Sequence, residues 1–230
     1  MTELPSLKEF YAQNNSISDI SMIHDMPNLR KVDASNNLIT NIGTFDNLPK
    51  LQSLDVHSNR ITSTSVIHDL PSLETFNAQA NLITNIGTMD NLPDITYVNL
   101  SFNRIPSLAP IGDLPNLETL IVSDNNSYLR SLGTMDGVPK LRILDLQNNY
   151  LNYTGTEGNL SSLSDLTNLT ELNLRNNVYI DDISGLSTLS RLIYLNLDSN
   201  KIEDISALSN LTNLQELTLE NNKIENISAL

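Results

Sequence analysis

The 230-residue chain has no cysteine and no tryptophan, only eight glycines, and 13 lysines and arginines against 27 aspartates and glutamates. Without cysteine there is no disulfide framework, no thiolate nucleophile and no cysteine-based metal centre. That absence fits a reducing cytosol and an exported bacterial protein equally, so it leaves the compartment open. The shortage of cations runs the whole length: residues 1–115 carry six against twelve carboxylates, and residues 116–230 carry seven against fifteen. Neither half has the basic footprint that neutralises phosphates, which excludes nucleic acid as a partner and disfavours an anionic lipid surface. No apolar run approaches the ~20 residues needed to cross a bilayer, so no membrane insertion is expected. No glycine-rich phosphate loop, H-E-x-x-H pair or serine elbow is present, and the expectation is no enzyme, no cofactor and no metal.

What the chain does contain is repetition. Leu7, Leu29, Leu51, Leu73, Ile95 and Leu117 lie 22 residues apart, and Leu141, Leu169, Leu192 and Leu214 extend the series at intervals of 24, 28, 23 and 22. Each opens the same phrase, L-x-x-L-x-L-x-x-N, as in LRKVDASNN at 29–37, ITYVNLSFN at 95–103 and LQELTLENN at 214–222. Alternation with period two predicts a short strand, and a strand recurring once per turn in one direction predicts a stacked parallel sheet. The downstream half places apolar residues three apart, as at Ile39, Ile42, Phe45 and Leu48, which suits 3₁₀-like or irregular return segments. The expected fold is one leucine-rich-repeat solenoid over residues 1–230, an α/β-type repeat superhelix with strands on its concave face.

Ten asparagines close the phrases: Asn15, Asn37, Asn59, Asn81, Asn103, Asn125, Asn149, Asn177, Asn200 and Asn222. The chain bends inward there and buries backbone groups that need partners. A carboxamide brings two donors and an acceptor on a short stem, so these residues read as a structural ladder serving their own turn and the next. Proline recurs at Pro5, Pro27, Pro49, Pro71, Pro93, Pro115 and Pro139, and gives way to Thr167, Ser190 and Thr212 later. Residues 37–49 and 81–93 differ at one position and lie 44 apart, which records duplication of a two-repeat unit.

The consensus I-x-x-I-x-x-L-x-x-L-x-x-L-x-x-L-x-L-x-x-N, and above all DISALSNLTNLQELTLENNKIENISAL at 204–230, resembles the internalin family of Gram-positive bacterial surface proteins. The resemblance implies a rigid binding scaffold, exported to the cell surface or cell wall, with a protein ligand that for several members is a host surface protein. The family's terminal cap, immunoglobulin-like domain, signal peptide and wall-sorting motif are not found in these residues, so a fragment of a repeat region with both caps missing is expected. Two alternatives accompany this reading: a rigid spacer within a longer wall-anchored protein, and an intracellular leucine-rich adaptor sharing the 22-residue form. The sequons at Asn99, Asn152, Asn159, Asn168, Asn210 and Asn226 read as by-products of the N-L-[ST] phrase.

Partner contacts are expected at outward strand positions, where no positional code is evident. Tyr97 with neighbouring Phe102, then Ile121, Ile143 and Tyr194, are apolar or aromatic where a solvated strand would be polar. The second candidate surface is an edge: repeats six to eight carry extra residues after the asparagine, bringing Tyr128, Tyr150, Tyr153 and Tyr179 to one side. His24 and His68 belong to a duplicated I-H-D phrase and read as scaffold. His57 lies near Asp33 and Asp55, and Asp181-Asp182 offers two adjacent carboxylates, too few for a calcium site.

Overall fold

A computed structural model describes residues 4–125, 128–152 and 160–230. Ten three-residue strands follow one another: β1 (Glu9–Tyr11), β2 (Lys31–Asp33), β3 (Ser53–Asp55), β4 (Thr75–Asn77), β5 (Tyr97–Asn99), β6 (Thr119–Ile121), β7 (Ile143–Asp145), β8 (Glu171–Asn173), β9 (Tyr194–Asn196) and β10 (Glu216–Thr218). They form one parallel sheet in chain order, β1 to β10, without crossover. The register is invariant: Val32 pairs with Leu54, Leu54 with Phe76, and Phe76 with Val98, so the central residue of each strand always faces inward. The fold is the leucine-rich-repeat solenoid anticipated from the repeat.

The inward residues form one continuous core. Leu54, Phe76, Val98, Leu120 and Leu144 are buried, as are Val56, Ala78, Leu100, Val122 and Leu146 two positions later. Each strand residue alternates between this core and the open face, the consequence of a period-two backbone.

The asparagine ladder joins the turns. Asn59 donates through Nδ2 to its own turn at Val56 O (3.0 Å) and His57 O (3.2 Å), and to Ala34 O of the turn before (3.0 Å). Its Oδ1 accepts the Ile39 N–H at 2.9 Å. Asn37, Asn81 and Asn103 repeat the arrangement. The reach is to the preceding turn, not the following one: the Ala34 carbonyl points forward along the stack, so the asparagine that follows must satisfy it. After Asn125 and Asn177, where one or two residues are added, the acceptor's donor changes, Asn149 taking the Asn125 N–H (3.1 Å) and Asn200 the Asn177 N–H (3.1 Å). After Asn149 the usual donor is kept, the Leu151 N–H bonding Asn177 Oδ1 at 3.4 Å. Asn15, in the first turn, bonds Ala12 O and Gln13 O of its own turn.

The return side is divided. Among the described residues 3₁₀ segments occur only late, at Leu160–Leu163, Ser184–Leu186 and Ser206–Asn210. Earlier turns return as bends joined by single parallel bridges, Asp19 to Asn41, Ser63 to Asn85 and Ser107 to Ser131. The cause is local: Gly43, Phe45 and Asn47 all adopt left-handed φ (71°, 55° and 55°), which interrupts any 3₁₀ run. A Cβ on Gly43 would lie 2.6 Å from the Ser21 Cα of the turn before, so only glycine fits. Gly87 makes the same approach to Ser65 and Gly133 to Ala109.

Candidate interaction surface

The open strand face consists of rows running across the turns. The first residue of each strand makes one row, in which Tyr97, Thr119 and Ile143 are in register. The third residue makes another, with Asn99, Ile121 and Asp145 in register. Ile121 therefore sits diagonally between Tyr97 and Ile143, one turn and two residues from each, and these three half-buried side chains share a patch. Tyr194 stands apart, separated from Ile143 by the Glu171 turn. Phe102 projects beyond the strand at the bend, 51% exposed, with φ of 55°.

The third-residue row does have a positional code, contrary to the sequence expectation. Asp33, Asp55, Asn77, Asn99, Asp145, Asn173 and Asn196 each accept the backbone N–H two residues on. A carboxylate or carboxamide on a short stem closes this ring where the strand ends and the inward bend begins. Several positions expected to point into solvent are buried: Asn99, Ser101, Ser123, Asn196 and Asp198 are at most 8% exposed. They bond among themselves, Ser123 Oγ donating to Ser101 Oγ (3.0 Å) and Asn196 Nδ2 to the Tyr194 hydroxyl (3.2 Å). Ile121 is the interior exception in this row, with Tyr11 and Thr218 lying in the outermost turns.

At the edge, Tyr150 and Tyr179 meet with ring centroids 5.5 Å apart, and the Lys201 ammonium lies 4.9 Å from the Tyr179 ring. Asn152 Nδ2 bonds the Tyr179 carbonyl (3.3 Å) and Asp181 Oδ1 (3.0 Å). Tyr128 is 44% exposed. Tyr153 lies outside the described residues. Asp182 closes a ring with the Ser184 N–H at 2.8 Å. Among the described residues no group of three metal-ligating side chains comes together.

The histidines are each held by one carboxylate. His57 Nδ1 is 2.7 Å from Asp55, whereas Asp33 is engaged by Ser35. His24 and His68 pair with Asp25 and Asp69 at 2.8 Å on the return side, bordering a groove of about 930 Å³. Hydrogen bonds from Asn47 and then His24 hold the Asp25 carboxyl below its ordinary range, and Asn91 and His68 do the same for Asp69.

Asp145 behaves in the opposite way. Burial beside Ile121 and Ile143, together with the negative charge of Asp124, raises its pKa above the ordinary 3.8, against the Gln147 N–H that lowers it. The folded chain thus keeps a proton on Asp145 in a range where the unfolded chain has lost it, and stability falls as pH rises through that range. Asp145→Asn, which keeps an acceptor for the Gln147 N–H, is expected to raise the thermal midpoint at pH 7. The gain should vanish below about pH 3.8, where both forms are neutral; an equal gain at all pH values would assign it to packing.

Comparison with known proteins places this geometry. The family described as leucine-rich repeats (2 copies) matches residues 5–48, 27–67 and 190–230, and a further leucine-rich-repeat family matches 165–190. Internalin I of Listeria monocytogenes serovar 1/2a is 99% identical over 84 residues, 36% of this chain and 5% of that protein. Internalin C2 of Listeria monocytogenes strain 4b F2365 shares 31% identity, with a TM-score of 0.70, over 80% of this chain and 77% of that one. The chain belongs to the internalin family. The internalin repeat array is thereby a protein-interaction module of a surface or secreted family, and among its described residues no helix is long and apolar enough to cross a membrane. A Toll–Spätzle complex from Drosophila superimposes with a TM-score of 0.80 over 96% of this internalin chain and 31% of that one at 22% identity, which shows the shared fold.

Proposed function

We propose that this chain is a non-enzymatic binding segment of a bacterial cell-surface internalin, and that its strand face receives a protein ligand around Tyr97, Ile121 and Ile143. The observation that carries the reading is Ile121. Neighbouring interior turns place aspartate or asparagine there to cap the bend, and this turn gives up the cap for a half-buried aliphatic group beside two other apolar side chains. Such a patch serves no fold requirement, since the core residue of β6 is Leu120. Clustered aromatic and aliphatic anchors are what dominate affinity at protein interfaces. The family's reach to host surface proteins makes such a protein the proposed partner, and the solenoid in complex with Spätzle is a parallel of the same fold.

The test uses the parent surface protein with Tyr97→Ala, Ile121→Asn and Ile143→Thr combined. Host-cell adhesion should fall about 10–100-fold while the thermal midpoint is retained, as for loss of a hot-spot cluster. A parallel variant, Tyr128→Ala with Tyr150→Ala, probes the tyrosine edge. Adhesion unchanged in both would leave the array as a rigid spacer and overturn the reading.

A further inference from the structure

The strand face carries a disproportionate share of the charge. Its first-residue and third-residue rows, with the row two positions beyond, comprise thirty side chains, of which eight are carboxylates and two, Lys31 and Arg175, are cations. The other two hundred positions hold nineteen carboxylates and eleven cations. Six of the fourteen net negative charges thus lie on about an eighth of the residues.

Within this face the carboxylates are not all neutralised by neighbours. Asp55 is engaged by His57 and by Asn77 Nδ2, and Asp33 by the Ser35 hydroxyl and N–H. Asp145 accepts the Gln147 N–H at 3.0 Å, and Asp124, one position past the last of these rows, accepts Asn148 Nδ2 at 2.8 Å. None of the ion pairs among the described residues involves Asp124 or Asp145. Both carboxylates are half-buried and lie in adjacent turns, and Asp145 is in register with Ile121. A negative site in a partly desolvated place, bordered by aliphatic side chains, matches one kind of protein group. Lysine and arginine lay an apolar stem along apolar surface and extend a cationic head beyond it.

We propose that the protein ligand docks here through a basic–apolar segment: an arginine or lysine lies with its stem over Ile121 and Ile143 and its head on Asp124 and Asp145, and an adjacent apolar residue of the ligand meets Tyr97. This rests on the strand face being the binding face, and adds the charge and chemistry of the partner. The raised protonation of Asp145 supports it, because a cation placed there would relieve both the desolvation and the Asp124 repulsion.

The probes are three acetylated, amidated tetrapeptides, Leu-Arg-Phe-Arg, Leu-Gln-Phe-Gln and Leu-Glu-Phe-Glu, titrated to millimolar concentration into the isotope-labelled 230-residue chain. The arginine peptide should shift the Ile121 and Ile143 methyls and the Asp145 amide. The Asp124→Asn, Asp145→Asn double variant, which keeps an acceptor oxygen for the Gln147 N–H and for Asn148 Nδ2, should weaken that binding at least tenfold. The exposed return-side column at Asp25, Asp69 and Asp113 is an internal control of like charge without the aliphatic patch. Shifts spread equally over that column, or binding unaltered in the double variant, would overturn the proposal. Equal binding of the glutamine peptide at the same methyls would overturn it while leaving the strand face as the docking surface. No perturbation of the patch by any peptide, with adhesion unchanged in the triple variant above, would remove both.

Discussion

Asn103→Ala should destabilise the solenoid by about 3–5 kcal/mol, read as a lowered urea midpoint. Asn103 is 5% exposed and makes four bonds: Nδ2 to Ala78 O (3.0 Å), Leu100 O (3.0 Å) and Ser101 O (3.1 Å), and Oδ1 from the Ile83 N–H (2.9 Å). Alanine leaves the Ile83 N–H buried without a partner, at roughly 1–3 kcal/mol, and forfeits three further bonds of about 0.5–1.5 kcal/mol each. The Ala78, Leu100 and Ser101 carbonyls keep Asn81, Asn125 and the Ala80 N–H as donors. Asn103→Asp, of equal size, should be worse at neutral pH, because a carboxylate would face three carbonyl oxygens. Part of that loss should return on acidification. A loss under about 1 kcal/mol for the alanine variant would mean that water replaces the carboxamide, and that the ladder is not what joins the turns. Amide exchange should locate the damage in the β4 and β5 turns, since a solenoid turn contacts only its neighbours.

The second large effect is expected at Phe76. It is wholly buried at the centre of β4 and in register with Leu54 and Val98. Phe76→Ala removes a ring from a close-packed column and should cost about 3–5 kcal/mol. Strand residues one place to either side, Thr75 and Asn77, face outward, so alanine there should cost far less, on the order of 0.5 kcal/mol for Thr75. Equal losses at Thr75 and Phe76 in thermal unfolding would contradict the inward–outward alternation.

Much of this architecture was legible because the repeat states it ten times. The period-two leucines fix which face is buried, and the spacing of 22 to 28 residues leaves a strand per turn and a short return. The third-row capping code was not legible. Aspartate and asparagine also mark loops and solvated surface, so a mixed Asp/Asn column reads as variety until each side chain is seen closing a ring on its own backbone, as Asp55 does with the His57 N–H. Ile121 was legible as an apolar residue at an outward position, but that it gives up a cap shows only against that column. The same misreading hid Asp145, whose pKa is raised chiefly by burial in the fold and further by Asp124, 21 residues back in the neighbouring turn. The distinction between early bends and late 3₁₀ segments escaped for another reason: it turns on left-handed φ at Phe45 and Met89, bulky residues for which sequence gives no such expectation.

The close approach of Gly43 to Ser21 and of Gly87 to Ser65 bears on how such an array can lengthen or shorten over evolutionary time. Two kinds of turn alternate, one presenting a small side chain and the next a bare backbone that fits against it. Excising the Gly43 turn alone would set Ser65 where Gly43 now meets Ser21, bringing a Cβ into a space of 2.6 Å that admits none. Removing or copying two turns together restores every such match. The heritable module of this stretch is therefore the doublet, since any change that stacks two serine turns is sterically barred.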